Sequence, residues 1–224
     1  MTEQEKQLIL SLLDINQPMS ETPSRFSTVT LLLRSARKLF GSDLYTGEYT
    51  MNELNIENFS EMYLSFQFTA LINYLILLEQ LGSLIKPINK SECKKSPGIF
   101  CALKYFSSLN DDRKIQSIAA LRHSLAHKFG LATQSNPKDK PCRKFILSLE
   151  TNAEVIKLPI IDWDGDFSDK HEKTSTIVYI FDLVVLIEDV YRNIVNEIET
   201  NYLNMELIIE VIELNARFTV IHGD

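Results

Sequence analysis

Residues 59–85 read FSEMYLSFQFTALINYLILLEQLGSLI, the longest stretch of helical character in the chain and apolar on nearly every face. A helix of that composition belongs at the centre of a fold, with other elements packed all round it. Its uncharged part, Met62 to Leu78, is 17 residues long and contains Ser65, Gln67, Thr69 and Asn73. A membrane span needs about 20 predominantly apolar residues, so the expectation is a buried core helix with no membrane partner. Working outward, Leu8, Ile9, Leu12 and Leu13 recur at helical spacing before Pro18. Phe26, Val29, Leu32, Leu33 and Ala36 do the same, with Ser20 or Thr22 as candidate caps and Gly41 as the stop. A short helix is expected over Ile99 to Phe106. A longer one opens at Asn110-Asp111-Asp112, where acids suit the helix N-terminus, and runs to about Lys128 with Gly130 as its left-handed terminator. Lys144 to Leu149 and Val155 to Leu158 read as the strands of a hairpin, and two last helices are expected over Thr174 to Thr200 and Leu203 to Phe218.

The expected fold is therefore an all-α, up-and-down helical bundle with long central helices and one inserted β-hairpin near 144–158. Residues 1–42 form an N-terminal helical extension packed on the bundle, and 58–220 form the main helical domain. Composition agrees with a folded, helix-rich chain: 45 % hydrophobic and 24 % charged residues leave apolar mass for one core, and 7 Gly with 7 Pro in 224 residues provide few turns. Three cysteines, Cys93, Cys101 and Cys142, form no C-x-x-C pair. Their odd number suits reduced, mostly buried thiols and a cytoplasmic location, and the N-terminus has no secretory character.

Charge is unevenly spread. The net charge is −7, yet Arg113 to Lys144 contains eight basic residues (Arg113, Lys114, Arg122, Lys128, Lys138, Lys140, Arg143, Lys144) against the single acid Asp139. That stretch is either a solvated lysine loop or the footprint of an anionic partner such as nucleic acid. On a helical wheel Ile115, Ile118, Leu121, Leu125, Ala126 and Phe129 share one apolar arc, and Arg122 falls near its middle. A guanidinium there must pair with an acid or open onto a polar cleft, because an unpaired buried charge costs several kcal/mol. Gln116, Ala120, His123 and His127 form a second, small and polar stripe. Two histidines four apart can bind a metal, but no acid or cysteine nearby offers a third ligand, and an imidazolium near a helix C-terminus also simply complements the dipole. Asp162-Trp163-Asp164-Gly165-Asp166 begins like a calcium loop, but its glycine is at the fourth position and Lys173 stands where a bidentate glutamate is needed, so it reads as a turn.

Taken together, Leu121-Arg122-His123-Ser124-Leu125-Ala126-His127 resembles the signature of HEPN domains (higher eukaryotes and prokaryotes nucleotide-binding): an arginine, a polar residue, three further residues and a histidine near the end of a bundle helix. The resemblance spans about Phe59 to Phe218. It implies metal-independent RNA cleavage by a homodimer in toxin–antitoxin or antiviral-defence systems, with no cofactor. Arg122 would hold the phosphoryl oxygens, His127 would carry the proton, His123 would orient or assist, and Lys128 would bind substrate. Arg122 and His127 lie about 140° apart on a regular helix, so the site closes by the reach of the arginine, by distortion near Gly130, or across a two-fold axis. The competing expectation is a non-catalytic binding or scaffold module, partner of a nucleotidyltransferase-like antitoxin protein, in which Arg122 is a structural charge.

Overall fold

The computed structural model describes residues 1–17, 25–50, 60–134 and 142–221. Helix α1 (Glu3–Leu13) starts at Thr2, whose hydroxyl accepts from the Glu5 amide while the Glu5 carboxylate accepts from the Thr2 amide. This reciprocal cap satisfies two amides that a helix end leaves unpaired. Helix α2 (Thr28–Phe40) is capped by Ser27, whose hydroxyl accepts from the Val29 amide, and it stops at Gly41 in the left-handed conformation (φ 83°). The expected caps Ser20 and Thr22 lie outside the described residues. Central helix α3 (Ser60–Leu84) fully buries Ala70, Leu71, Tyr74, Leu75, Leu77, Leu78, Leu81 and Leu84. Around it pack α2, α4 (Gly98–Phe106), α5 (Asp112–Lys128) and α6 (Ile180–Asn201). By length and composition alone Leu64–Leu84 would suffice to cross a membrane; in the fold it forms the axis of the core. Ile9, Leu12 and Leu13 of α1 and Val29, Leu33 and Ala36 of α2 join the same apolar cluster.

The α3–α4 crossing is unusually close because two glycines meet. A Cβ on Gly82 would collide with the Gly98 carbonyl, and one on Gly98 with the Glu79 carbonyl. The proximity lets Glu79 cap α4 from the neighbouring helix: its carboxylate accepts from the amides of Gly98 (3.0 Å) and Ile99 (3.3 Å). Cys93, in the 3₁₀ turn Ser91–Lys94, forms a disulfide with Cys101 of α4, the two Cα atoms 5.5 Å apart. This corrects the expectation of three reduced thiols: the turn folds back over eight residues and brings the pair within bridging range. Cys142 remains free and half-buried.

The all-α bundle with an inserted hairpin is overturned, because the fold is mixed α/β. Strands β3 (Ala132–Thr133), β4 (Arg143–Ser148), β5 (Ile156–Lys157) and β6 (Thr176–Tyr179) form one sheet in the order β3-β4-β6-β5. The two expected hairpin strands are not paired with each other. Between them runs β6, parallel to β4 (Phe145 opposite Thr176, Ser148 opposite Tyr179) and antiparallel to β5. The run Thr176-Ile-Val-Tyr-Ile-Phe-Asp-Leu-Val-Val is apolar at both helical and strand periods. The β-branched and aromatic residues at its start pair with β4 and β5, and the helix begins only at Ile180. Two further ladders were not expected: β1 (Arg25–Ser27) with β8 (Thr219–Ile221), and β2 (Ile85–Pro87) with β7 (Met205–Leu207), both antiparallel. They flank α7 (Val211–Phe218), so the two last helices are separated by a 3₁₀ turn at Tyr202–Asn204 and by β7.

A buried ion pair ties the elements around the core. Arg37 of α2 and Glu188 of α6 are 1 % and 3 % exposed. They pair through both carboxylate oxygens, Nε to Oε1 at 2.9 Å and Nη2 to Oε2 at 2.7 Å. Arg37 Nη1 donates to the carbonyls of Leu44 and Tyr45, and the Tyr74 hydroxyl of α3 donates to Glu188 at 2.9 Å. Each charge is thus compensated and hydrogen-bonded, the condition under which burial is tolerated.

Candidate functional site

Helix α5 carries the residues singled out by the sequence. Asp111 starts it, its carboxylate accepting from the amides of Arg113 and Lys114. Ile115, Ile118, Leu121 and Leu125 turn into the core as the apolar arc requires. Arg122, which the same arc carries inward, is half-buried; among the described residues it forms no ion pair, and its buried Nε donates to none of them. His123 and His127 stand on the exposed side with ring centroids 4.7 Å apart and planes inclined at 54°. Lys128 is exposed next to them. The structure therefore brings the two imidazoles together, while Arg122 leaves the helix about 140° round from His127. No hydrogen bond joins the guanidinium to either ring among the described residues. Nor do three or more His, Cys, Asp or Glu side chains there group as metal ligands.

The end of α5 differs from expectation. Phe129, not Gly130, adopts the left-handed conformation (φ 50°, ψ 33°), and its ring, expected in the apolar arc, is 76 % exposed. The turn is held from inside: the buried Ser124 hydroxyl donates to the Gly130 carbonyl at 2.7 Å, and the Phe129 amide donates to Leu125 at 3.2 Å. A left-handed bulky residue costs about 1–2 kcal/mol relative to glycine. That strain lies two residues beyond His127.

The basic run is distributed over two environments. Lys114 pairs with Glu154 at 3.2 Å. Lys144 lies 3.4 Å from Asp169 and donates to the carbonyls of Asp169 and His171. The Thr174 hydroxyl, the His171 amide and Lys144 together hold the Asp169 carboxyl down to about 2. Lys138 and Lys140 lie outside the described residues. Arg113 and Arg143 face a cleft of about 320 Å³ between α5 and the sheet, and Arg122, His123 and His127 lie outside it. Sequence reasoning missed this cleft, since its far wall comes from Leu158, Pro159 and Trp163. The available signals were the basic run and the lone tryptophan set among aspartates. Asp162 to Asp166 forms the expected turn, with Gly165 at φ 96° and the Asp164 carboxylate accepting from the Asp166 amide.

No family model matches the chain, and neither a curated protein nor a solved structure does so.

Proposed function

We propose that the chain is a metal-independent endoribonuclease of the HEPN kind, acting as a homodimer on RNA. One observation carries the reading: at the C-terminal end of α5 two exposed imidazoles stand 4.7 Å apart, beside a guanidinium with a buried and unpartnered Nε. An arginine not neutralised by an acid is available to an anion, and its planar fork suits phosphoryl oxygens. Imidazole is the side chain suited to taking up and giving back a proton near neutral pH. In the reaction His127 takes the proton of a ribose 2′-hydroxyl as its oxygen attacks the adjacent phosphorus. The P–O5′ bond breaks, and the leaving oxygen takes a proton from the second imidazole, His123 or a copy across the dimer. The products are a 2′,3′-cyclic phosphate and a 5′-hydroxyl. Arg122 counters the charge gathering on the phosphoryl oxygens, and Lys128 holds a neighbouring phosphate. Because Arg122 and His127 diverge on one helix, a two-fold pairing of α5 segments is what would let a guanidinium of one protomer meet an imidazole of the other. The reading rests on α5 and its packing on α3 and α4, not on an all-α architecture.

The test is cleavage of structured and unstructured RNA in EDTA by wild type, Arg122→Ala and His127→Ala. Expected is cyclic-phosphate product from wild type and a loss of about 10²–10⁴-fold in each variant. Cleavage that survives both substitutions removes these residues from the mechanism. The exposed ring of Phe129, next to the motif, favours a second reading: a non-catalytic module whose α5 end docks a protein such as a nucleotidyltransferase-like antitoxin. A catalytic toxin is hard to express in wild-type form and easier as His127→Ala, whereas a binding module is equally benign in both forms.

A further inference from the structure

Among the described residues, the cleft beside the first turns of α5 is lined by more cationic side chains, Arg113, Arg143 and Lys144, than anionic ones, of which Asp162 is one. Arg113 meets Asp162 at 3.5 Å, a pair largely open to solvent. Lys144, on the same wall, is already satisfied by Asp169 and two carbonyls. Arg143 is half-buried and has no ion pair among the described residues. Its Nε donates at 3.2 Å to the hydroxyl of Ser117, itself 2 % exposed, and that hydroxyl donates in turn to the Arg113 carbonyl. Burial depresses the Arg143 pKa, which Asp162 offsets in part and the nearby Arg113 lowers further. A fixed, partly desolvated guanidinium next to a second cation is unfavourable alone, and an oxyanion between them turns the repulsion into two charge-assisted contacts.

We propose that this cleft binds a small organic phosphate, with Arg143 and Arg113 clamping the phosphate and Leu158, Pro159 and Trp163 receiving the organic part. Two guanidinium forks offer more donors than a carboxylate can accept in bidentate fashion, and they suit the several oxygens of a phosphate. A volume of about 320 Å³ with an apolar wall exceeds the needs of a bare anion and is within the range of small-molecule sites. The buried Thr176 and the exposed Gln116 add neutral polar groups to the lining. A free nucleotide and one nucleotide of an RNA strand present the same chemistry here. The site is distinct from the histidine pair: Gln116 and His127 are about 16 Å apart along α5, so a phosphate held in the cleft is not the one whose attack by a 2′-oxygen His127 would assist. The proposal stands on the cleft's own charge, whether or not the chain cleaves RNA.

Trp163 is the single tryptophan of the chain and part of the wall, so its emission reports occupancy. The 224-residue chain is titrated at low salt with inorganic phosphate, adenosine, AMP and a fully 2′-O-methylated oligoribonucleotide, which cannot be cleaved. Expected is a saturable change with AMP or the oligomer and none with adenosine, weakening as salt rises. Arg143→Met binds about tenfold or more weakly, as loss of a charge-assisted contact requires. Arg113→Gln, at an exposed position, weakens binding less and serves as the readout if Arg143→Met fails to fold. Tighter binding of the oligomer than of AMP identifies an RNA strand as the source, and the reverse identifies a free nucleotide. Silence toward both esters at millimolar concentration overturns the proposal. So does an equal response to adenosine and AMP, or binding unchanged in both arginine variants. Arg122→Ala and His127→Ala leave the AMP titration intact while removing any cleavage, so the two proposals fail separately.

Discussion

At Phe129 a bulky side chain occupies a backbone conformation that glycine adopts without penalty, and its ring has left the core for solvent. The turn's hydrogen bonds hold the backbone there, while the ring is not part of the core cluster, so the conformation carries a cost to the fold. Phe129→Gly is expected to raise stability by about 1 kcal/mol, read as a higher denaturant midpoint with unchanged slope. If the exposed ring contributes to a dimer contact or stacks on a base, the same variant loses dimerisation or RNA cleavage while gaining stability. A variant less stable than wild type would show that Phe129 has packing partners in the working assembly. The arginine that burial governs most strictly gave no signal in the sequence. The helical arc pointed to Arg122, whereas the fully buried guanidinium is Arg37. Its partner Glu188 is 151 residues away in sequence, and no local period reports a contact over that separation.

Elements with signals at both ends were legible. Gly41, and Asp111 with Asp112, each mark a helix boundary by a dihedral angle or a hydrogen bond that their residue types favour, whereas the Thr2–Glu5 cap of α1 went unread. The strands were legible only where polar turns isolated them, as at 143–148. Strand β6 was absorbed into the following helix because apolar residues continue across the boundary, and the pairing that separates the two comes from distant chain. The three-residue ladders β1–β8 and β2–β7 are too short to carry a period at all. The histidine pair was legible as a spacing, while the arginine cleft was not, since three separate segments build it. At this scale the Gly82–Gly98 contact makes the sharpest prediction. Gly82→Ala pushes a methyl into the Gly98 carbonyl and pulls α4 off its Glu79 cap. The expected loss is about 2–4 kcal/mol in chemical denaturation, and a loss under 1 kcal/mol would mean that the helices slide apart without losing the cap.

For the whole molecule, the Arg37–Glu188 pair fastens α2 to α6 across the central helix, with the Tyr74 hydroxyl of α3 as third partner. Glu188→Gln keeps the shape and removes the charge, leaving a buried guanidinium uncompensated at a cost of about 3–5 kcal/mol. Arg37→Met with Glu188→Met removes both charges and is expected to recover much of that loss. A double variant as unstable as the single one would mean that Arg37's bonds to the Leu44 and Tyr45 carbonyls carry the effect instead.

The β1–β8 ladder joins residues 25–27 to residues 219–221. During translation the first strand therefore waits, with its hydrogen-bonding edge open, for about 190 further residues, roughly 10–40 s at typical elongation rates. A chaperone or a neighbouring nascent chain has that interval in which to occupy the edge. Closure of the ladder accordingly has to wait until residue 221 has been made.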